Sequence, residues 1–356
     1  MMSLSQVLSA NNETLSTLST LLNSQPALAS ALTSISPITI LAPSNGAFIK
    51  FLASPSGLAA SKDTNMVTAL LQYHVLNGFF SSSTFIATEQ FLPTLLTNTT
   101  FTNVTGGQVV GGVLNGKTVQ LMSGLKEMST VTTADIMFTG GIIHIIDTVL
   151  TLPLPPSMSA VDSGLTALAG ALNQTTVGSA FDGLSDVTIF APSNAAFQKI
   201  GSATSTLSIQ DLSNILEYHL INGTVGYSSL LMNGLANETF PSLMGTSVMV
   251  ESADKKLFVN SAQVTIADII VSNGVMHVID NVLNPSNSTA MPNPTATSQP
   301  VAFAGASSVS DVPFTSGISA TITAPSASTM TAGAERAFGT MGVAAMLGMG
   351  VIAGAF

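Results

Sequence analysis

Apolar positions along this chain follow two rhythms, one of three to four residues and one of two. At the start, Leu4, Val7, Leu8, Leu15, Leu18, Leu21 and Leu22 recur at helical spacing and predict opening helices. "ITILAP" at 38–43 alternates β-branched and aliphatic residues and stops at Pro43, which predicts a strand running into a turn. Ser44 then suits a helix N-cap, its hydroxyl accepting a free backbone N–H, and Asn45, Ala47 and Phe48 continue into a short helix. Asp63 caps a second helix, "DTNMVTALLQYH", which delivers Tyr73-His74 to the start of a new strand, "VLNG". Short strands with turn signals follow. Among them lies "TNTTFTNVTGGQVVGGVLNG", whose Gly, Asn and Thr content predicts hairpin turns and loops rather than a new element. "GGIIHIIDTVL" closes the series as a β-branched strand.

The whole succession then recurs. "VTIFAPSNAAF" at 187–197, "SIQDLSNILEYHLING" ending at Gly223 and "NGVMHVIDNVLNP" from Asn273 repeat the three segments in order, with Ser208 and Asp211 forming a capping signature. Matching positions differ by 149 at Asn45/Asn194, 145 at His74/His219 and 133 at His144/His277, so the chain is a tandem duplication. Each copy is too long for a solenoid unit and suits one domain, which sets the domains at 1–152 and 157–285. Helices first and strands later in each copy predict an α+β fold, with sheets packed on each other and helices along one side.

"TILAPSNGAF", "YHVLNG" and "GGIIHIIDTVL", in this order and twice over, resemble the fasciclin (FAS1) domain across nearly all of residues 1–285. The first and last correspond to the two signature regions of that family. One departure is visible: the family often carries an acidic residue after its Ser/Thr-Asn pair, where this chain has Gly46 and Ala195. The resemblance implies a wedge-shaped β-sandwich with helices, and a role in adhesion or in matrix and wall organisation. It extends to fungal fasciclin-like surface proteins with two such domains, a stalk and a lipid-anchor tail. In animal relatives the YH segment and an Asp-Ile pair before the last strand are implicated in integrin recognition. The resemblance therefore makes Tyr73, His74, Asp135, Ile136, Tyr218, His219, Asp268 and Ile269 candidate binding residues. Physically, a Tyr or Ile inside an apolar run serves packing more often than contact, so core and contact both stand as readings. No Arg-Gly-Asp sequence offers a second route to integrins.

Composition narrows the classes. Only 7% of residues are charged and the net charge is −10, with Lys255-Lys256 the longest basic run. Nucleic-acid binding needs basic clusters to displace counterions, so that partner is set aside. Polar surface must come from Ser, Thr and Asn. Glycosylation sequons stand at Asn12, Asn98, Asn103, Asn173, Asn222, Asn237 and Asn287, a density that supports a secretory reading. With no cysteine, disulfide scaffolds, zinc–thiolate sites and thiol nucleophiles are excluded. His144 and Asp147 would meet on a helix, but on a strand they face opposite sides. No metalloprotease, nucleophile-elbow, P-loop or dinucleotide pattern occurs, so the sequence offers no catalytic residue, no metal site and no cofactor. His144 and His277, flanked by Ile and Val, are expected half-buried with their nitrogens bonded to backbone or to polar neighbours.

From residue 286 to 335 the chain becomes Ser-, Thr-, Ala- and Pro-rich without sustained periodicity, which predicts a disordered, O-glycosylated stalk. Residues 336–356 form the C-terminal signal, apolar to the last residue once Glu335-Arg336 is passed. Small residues, a polar spacer and an apolar tail make a glycolipid (GPI) attachment signal, with Ser326 as the anchor site and Thr331-Ala332-Gly333 as second choice. A membrane helix using Gly350 and Gly354 as a packing face is the alternative. No secretory leader precedes the first helix, so an upstream start encoding one is expected. Two functions remain. One is a non-enzymatic adhesion or wall-organising protein, anchored at the cell surface, whose partners are surface, matrix or wall proteins and glycans, or a second copy. The other is a vacuolar or intracellular protein that makes protein contacts without an anchor.

Overall fold

The computed structural model of the chain describes residues 1–319. It divides into two compact units, residues 1–102 with 106–152, and residues 103–105 with 153 onward. In domain 1 the helices are α1 (Leu4–Ala10), α2 (Asn12–Asn23), α3 (Pro26–Ser34), α4 (Asn45–Ala53), α5 (Pro55–Ala60) and α6 (Thr64–Tyr73). Its strands are β1 (Ile38–Pro43), β2 (Val75–Leu76), β3 (Gln90–Pro93), β4 (Val109–Asn115), β5 (Thr118–Met122), β6 (Met128–Phe138) and β7 (Gly141–Ile146). Domain 2 repeats the set with α7 (Pro156–Asp162), α8 (Thr166–Thr175), α9 (Val177–Gly183), α10 (Asn194–Lys199), α11 (Gly201–Thr204), α12 (Ile209–Tyr218) and an added α13 (Ser228–Asn233). Its strands are β8 (Val187–Pro192), β9 (Leu220–Ile221), β10 (Glu238–Pro241), β11 (Ser247–Ala253), β12 (Lys256–Val259), β13 (Ala262–Val271) and β14 (Gly274–Ile279).

Each domain folds one seven-stranded sheet back on itself, in the order β2-β1-β7-β6-β5-β4-β3 and β10-β11-β12-β13-β14-β8-β9. The two layers of the expected sandwich are thus one continuous sheet. A bridge between Leu76 and Thr94 in domain 1, and between Ile221 and Ser242 in domain 2, brings its ends together. Closing a sheet in this way removes its edges. The pairing is antiparallel throughout except where the two signature strands run side by side, β1 with β7 and β8 with β14. Those strands are buried along their whole length, which is why they carry Ile and Val on both faces rather than alternating. Glycine opens β7 and β14 because a Cβ at Gly141 or Gly274 would lie 2.1 or 2.0 Å from the carbonyl oxygen of Ile38 or Val187.

The caps fall where the sequence places them. Ser44 and Ser193 accept the Ala47 and Ala196 N–H groups, Asp63 caps α6, and Ser208 with Asp211 closes a capping box on α12. The Asn of each "PSN" bridges helices. Asn45 Nδ2 donates to Glu13 O at 3.0 Å while its Oδ1 accepts the Thr17 N–H at 2.9 Å. Asn194 does the same with Gly164 O and the Ala167 N–H, at 3.1 and 3.0 Å. Neither duty needs the acidic residue that Gly46 and Ala195 replace.

Two expectations change. "QVVGGVLN", whose composition predicts turns and loops, includes strand β4, paired to β3 and β5. The Gly-Gly step sits inside that strand because a Cβ at Gly112 would meet the Phe85 ring at 2.6 Å. The extra length of domain 1 lies mainly in residues 94–108, which stand where domain 2 has only 242–246. The segment expected to be a disordered stalk has no regular element from 288 to 319, in keeping with its composition, yet it is not detached. Phe303, Ala306, Val312, Phe314 and Ile318 pack against the core of domain 2. The rest of the stalk, the anchor site at Ser326 with its second choice at Thr331-Ala332-Gly333, and the apolar tail lie outside the described residues. No helix among the described residues is long and apolar enough to cross a membrane.

Candidate functional site

Strand β6 owes its shape to two irregularities in its pairing with β7, between Val131 and Thr133 and between Thr133 and Ile136. At the second stands Asp135, with φ 63°, a left-handed backbone that Asp tolerates better than most residues. The bulge turns the Asp135 N–H inward, where it donates to His144 Nδ1 at 3.2 Å. His144 Nε2–H donates in turn to Phe80 O at 2.7 Å, which fixes the tautomer. The Phe80 segment is itself pinned by Thr39, whose hydroxyl donates to Gly78 O and accepts the Phe80 N–H, both at 2.8 Å. The Asp135 carboxylate closes the ring of contacts by accepting the Ser82 N–H at 2.9 Å and the Ser82 hydroxyl. Partial desolvation pushes this carboxyl up, but the Ser82 hydrogen bonds and the proximity of His144 outweigh it, and its pKa ends below the usual value.

Domain 2 builds the same ring. Asp268, at φ 61° in the matching bulge, donates its N–H to His277 Nδ1 at 3.2 Å, and His277 Nε2–H donates to Gly226 O at 2.8 Å. Thr188 plays the part of Thr39. The carboxylate accepts the Ser228 N–H at 2.8 Å and the Ser228 hydroxyl. His277 Nδ1 also lies 3.9 Å from Asp268 Oδ1. That approach is no ion pair, because the nitrogen is already accepting a backbone N–H and carries no proton.

The two aspartates nevertheless end in different surroundings. Asp135 is exposed and Ile136 half-buried, whereas Asp268 and Ile269 are each only 1% exposed. The surface role expected for Asp268 and Ile269 is therefore corrected. In domain 2 the serine opens α13 instead of a single 3-10 turn, and Tyr227 stands beside the carboxylate where domain 1 has Ser81. The Tyr227 phenol is raised by burial and then by the neighbouring Asp268 and Asp186 charges.

The YH pairs are buried too, so their candidacy as contacts is likewise corrected. Tyr73 and Tyr218 are wholly inaccessible, and His74 and His219 are 3% and 2% exposed. Tyr73 OH donates to Val109 O at 2.9 Å. Tyr218 OH donates to Ser247 O at 3.1 Å and accepts from Asn260 Nδ2 at 2.8 Å. Each histidine caps its helix and staples it to the segment after the last strand. His74 Nδ1–H donates to Leu70 O at 2.7 Å and Nε2 accepts the Leu150 N–H at 2.9 Å. His219 makes the same pair of bonds to Ile215 O, at 2.6 Å, and from Leu283 N, at 2.9 Å. Burial holds both imidazoles down to about 4 despite the helix carbonyl each one bonds.

Of the eight sequence candidates, then, Asp135 alone is exposed. Sequence reasoning missed Ser82, Ser228, Thr39 and Thr188. The repeat offset slips from 145 at the histidines to 146 at the serines, and that slip hid their equivalence. Asp147 is occupied locally, its Oδ1 accepting the Thr130 N–H at 2.8 Å. Among the described residues no group of His, Asp and Glu could hold a metal ion. Six of the seven sequon asparagines are exposed, and Asn103 is half-buried.

A family model for the fasciclin domain matches residues 13–153 and 163–285. A fasciclin-like arabinogalactan protein of Arthroderma benhamiae is 36% identical over 306 residues, covering 85% of this chain and 72% of that protein. A second protein of that name, from Phaeosphaeria nodorum, is 32% identical over 282 residues, 79% of this chain and 88% of its own length. Among solved structures, a FAS1 domain pair from the insect cell adhesion molecule fasciclin I aligns with a TM-score of 0.38 and 21% identity, over 77% of this chain and 97% of that one.

Proposed function

This chain belongs to the fasciclin domain family, and on that premise we propose that it is a non-enzymatic protein of the cell surface or wall that binds partners through its folded domains. The observation that carries the reading is Asp135. It is a solvent-facing carboxylate at the tip of a bulge, held in one rotamer by Ser82 and backed by the His144 relay. A charge held in place by its own domain binds without first being ordered, which is what a contact residue needs. Its partners are surface, matrix or wall proteins and glycans. In domain 2 the same ring is closed over, and its contribution there is architectural.

Asp135→Asn tests this, because Asn also accepts a left-handed backbone and keeps one acceptor for the Ser82 N–H. Surface-displayed Asp135→Asn protein at matched levels should lose adhesion with its melting temperature nearly unchanged. Adhesion equal to that of the native protein would overturn the reading.

Anchoring at the surface by a glycolipid at Ser326, and N-glycosylation at the exposed sequons, belong to the same proposal. They are supported by the tail composition, by the exposure of Asn12, Asn98, Asn173, Asn222, Asn237 and Asn287, and by relatives named as arabinogalactan proteins. Phosphatidylinositol-specific phospholipase should release the protein from intact cells. Mature protein that still contains Leu347 to Phe356 would rule the anchor out.

A further inference from the structure

Residues 300–318 follow a path that the compositional reading does not anticipate. They cross the helical face of domain 2 made by α8, α10 and α11, and backbone groups on both sides are hydrogen-bonded. Asn281 Nδ2 donates to Pro300 O at 2.6 Å, and Asn284 Nδ2 donates to Ala302 O at 3.1 Å. Ser202 N–H donates to Ser307 O at 3.1 Å, and Ser307 N–H returns a bond to Ser202 Oγ at 2.8 Å. Val309 N–H donates to Gln198 O at 3.1 Å while Gln198 Nε2 donates to Ser310 O at 2.7 Å. The Phe314 ring stands edge-on to Phe197 at 5.7 Å. Phe314 takes φ 63°, a conformation that a bulky residue holds only when its surroundings impose it.

The seat is shaped for this segment. A Cβ on Gly170 would fall 1.7 Å from Phe314 O, and one on Gly201 would fall 2.0 Å from a Val309 methyl. Glycine inside a helix is unfavourable unless something needs the space; here the strap needs it. Domain 1 supplies the control. At the offset of 149 fixed by Asn45/Asn194, Gln198, Gly201 and Ser202 correspond to Ile49, Leu52 and Ala53. Gly170 corresponds to Thr20, because Ala167 and Thr17 make the same bond to the signature Asn. Asn281 and Asn284 correspond to Thr148 and Thr151 at the offset of 133. Domain 1, which has no strap among the described residues, lacks both the space and the amide hands, and leaves Ile49 and Leu52 70% and 41% exposed. Among the described residues, seat and occupant occur together in one domain and are missing together from the other.

We propose that residues 300–318 are a strap that closes the helical face of domain 2, and that this face is a docking site for an extended, uncharged chain segment which the strap occupies in cis. Asp311 is the one charged residue of the strap, and it points to solvent. The C-terminal continuation of the chain therefore leaves domain 2 from this face and not from the end of β14. Tension on the C-terminus must first displace the strap.

Hydrogen exchange on the full chain, followed by mass spectrometry, tests this. In the native protein the Ser307 and Val309 amides should exchange at least about tenfold more slowly than free-chain amides, at the same rate at low and high protein concentration. Gly201→Val, which fills the seat, and Phe314→Asp, which removes the anchor from the strap side, should both abolish that protection while β14 stays protected. Phe314→Asp alters no residue of the seat on α8, α10 and α11, so loss of protection there cannot be blamed on a change in the seat's own residues. Free-chain exchange in the native protein, protection that survives both substitutions, or protection that rises with concentration would each overturn the proposal.

Discussion

Domain 1 and domain 2 share a hydrogen-bonded skeleton almost atom for atom and differ in what covers it. The histidine staples, the tyrosine hydroxyls, the threonine hub and the aspartate bulge are present in both, with distances that agree within a few tenths of an ångström. These groups satisfy backbone atoms that the closed sheet would otherwise leave unpaired inside, and losing one exposes the full desolvation cost of its partner. Duplication could not relax them. It could relax the outward side, and there the copies part. Among the described residues, domain 1 keeps its aspartate in water and its helical face uncovered, while domain 2 buries the aspartate and straps the face. Contacts with other molecules are therefore to be sought where the copies differ.

The largest effects should fall on the shared skeleton and be alike in the two copies. His74→Ala or His219→Ala leaves the buried Leu150 or Leu283 N–H without its acceptor and opens a cavity, at a cost of about 3–5 kcal/mol to its own domain. Thermal unfolding of the two single variants, with a domain-specific probe such as hydrogen exchange, should show equal losses in opposite halves. A large loss from one and none from the other would break the equivalence.

Acid should separate the copies. Each buried histidine has a folded pKa near 4 against 6.5 unfolded, so only the unfolded chain takes up its proton between those values. The stability each contributes is complete above about pH 6.5 and is lost as the pH falls to 4. The 2.5-unit difference is worth about 3 kcal/mol. Domain 1 carries an opposing group. Burial pushes Glu127 up to about 7 from 4.5, so its contribution is present below pH 4.5 and is lost as the pH rises through 7. The matching position in domain 2 is Asn260, which does not titrate, although Asp280 there is raised by burial and opposes in the carboxylate range. Acidification from pH 7 to 4.5 should therefore weaken domain 2 more than domain 1. Glu127→Gln should raise the melting temperature of domain 1 at pH 7 and give it the acid profile of domain 2. An unchanged profile would remove Glu127 from the account.

Much of this architecture was legible in the sequence because it is written in local chemistry. Ser44, Asp63 and the Ser208/Asp211 pair are caps whatever surrounds them, and the repeat exposes the domain plan. Three things were not legible, each for a physical reason. Alternation along "TTADIMF" cannot reveal a bulge, since one extra residue changes which side a carboxylate takes. Burial of Asp268 depends on Tyr227 and α13, some forty residues earlier, and no local pattern points there. The strap lacks periodicity, and absence of periodicity means absence of regular hydrogen bonding within the segment. Ser202, Gln198, Asn281 and Asn284 supply its bonds from outside, and Gly170 and Gly201 look like ordinary helix glycines until Phe314 and Val309 are seen above them.

The smallest effect sharpens the comparison most. Asp135→Ala and Asp268→Ala each place alanine at a left-handed φ, at a strain of about 1–2 kcal/mol that is common to both and cancels in the difference. Each also removes the acceptor of a serine N–H and hydroxyl. In domain 1 the freed Ser82 groups meet water, which replaces the lost bonds. In domain 2 the freed Ser228 groups are buried with no water to replace the carboxylate, a further cost of about 1–3 kcal/mol. Asp268→Ala should therefore unfold at lower denaturant than Asp135→Ala by that margin, while Asp135→Ala carries the adhesion defect. Equal stability losses would mean that water reaches Asp268 and that the two bulges are the same site after all. A larger loss from Asp135→Ala would reverse the assignment of contact to one copy and architecture to the other.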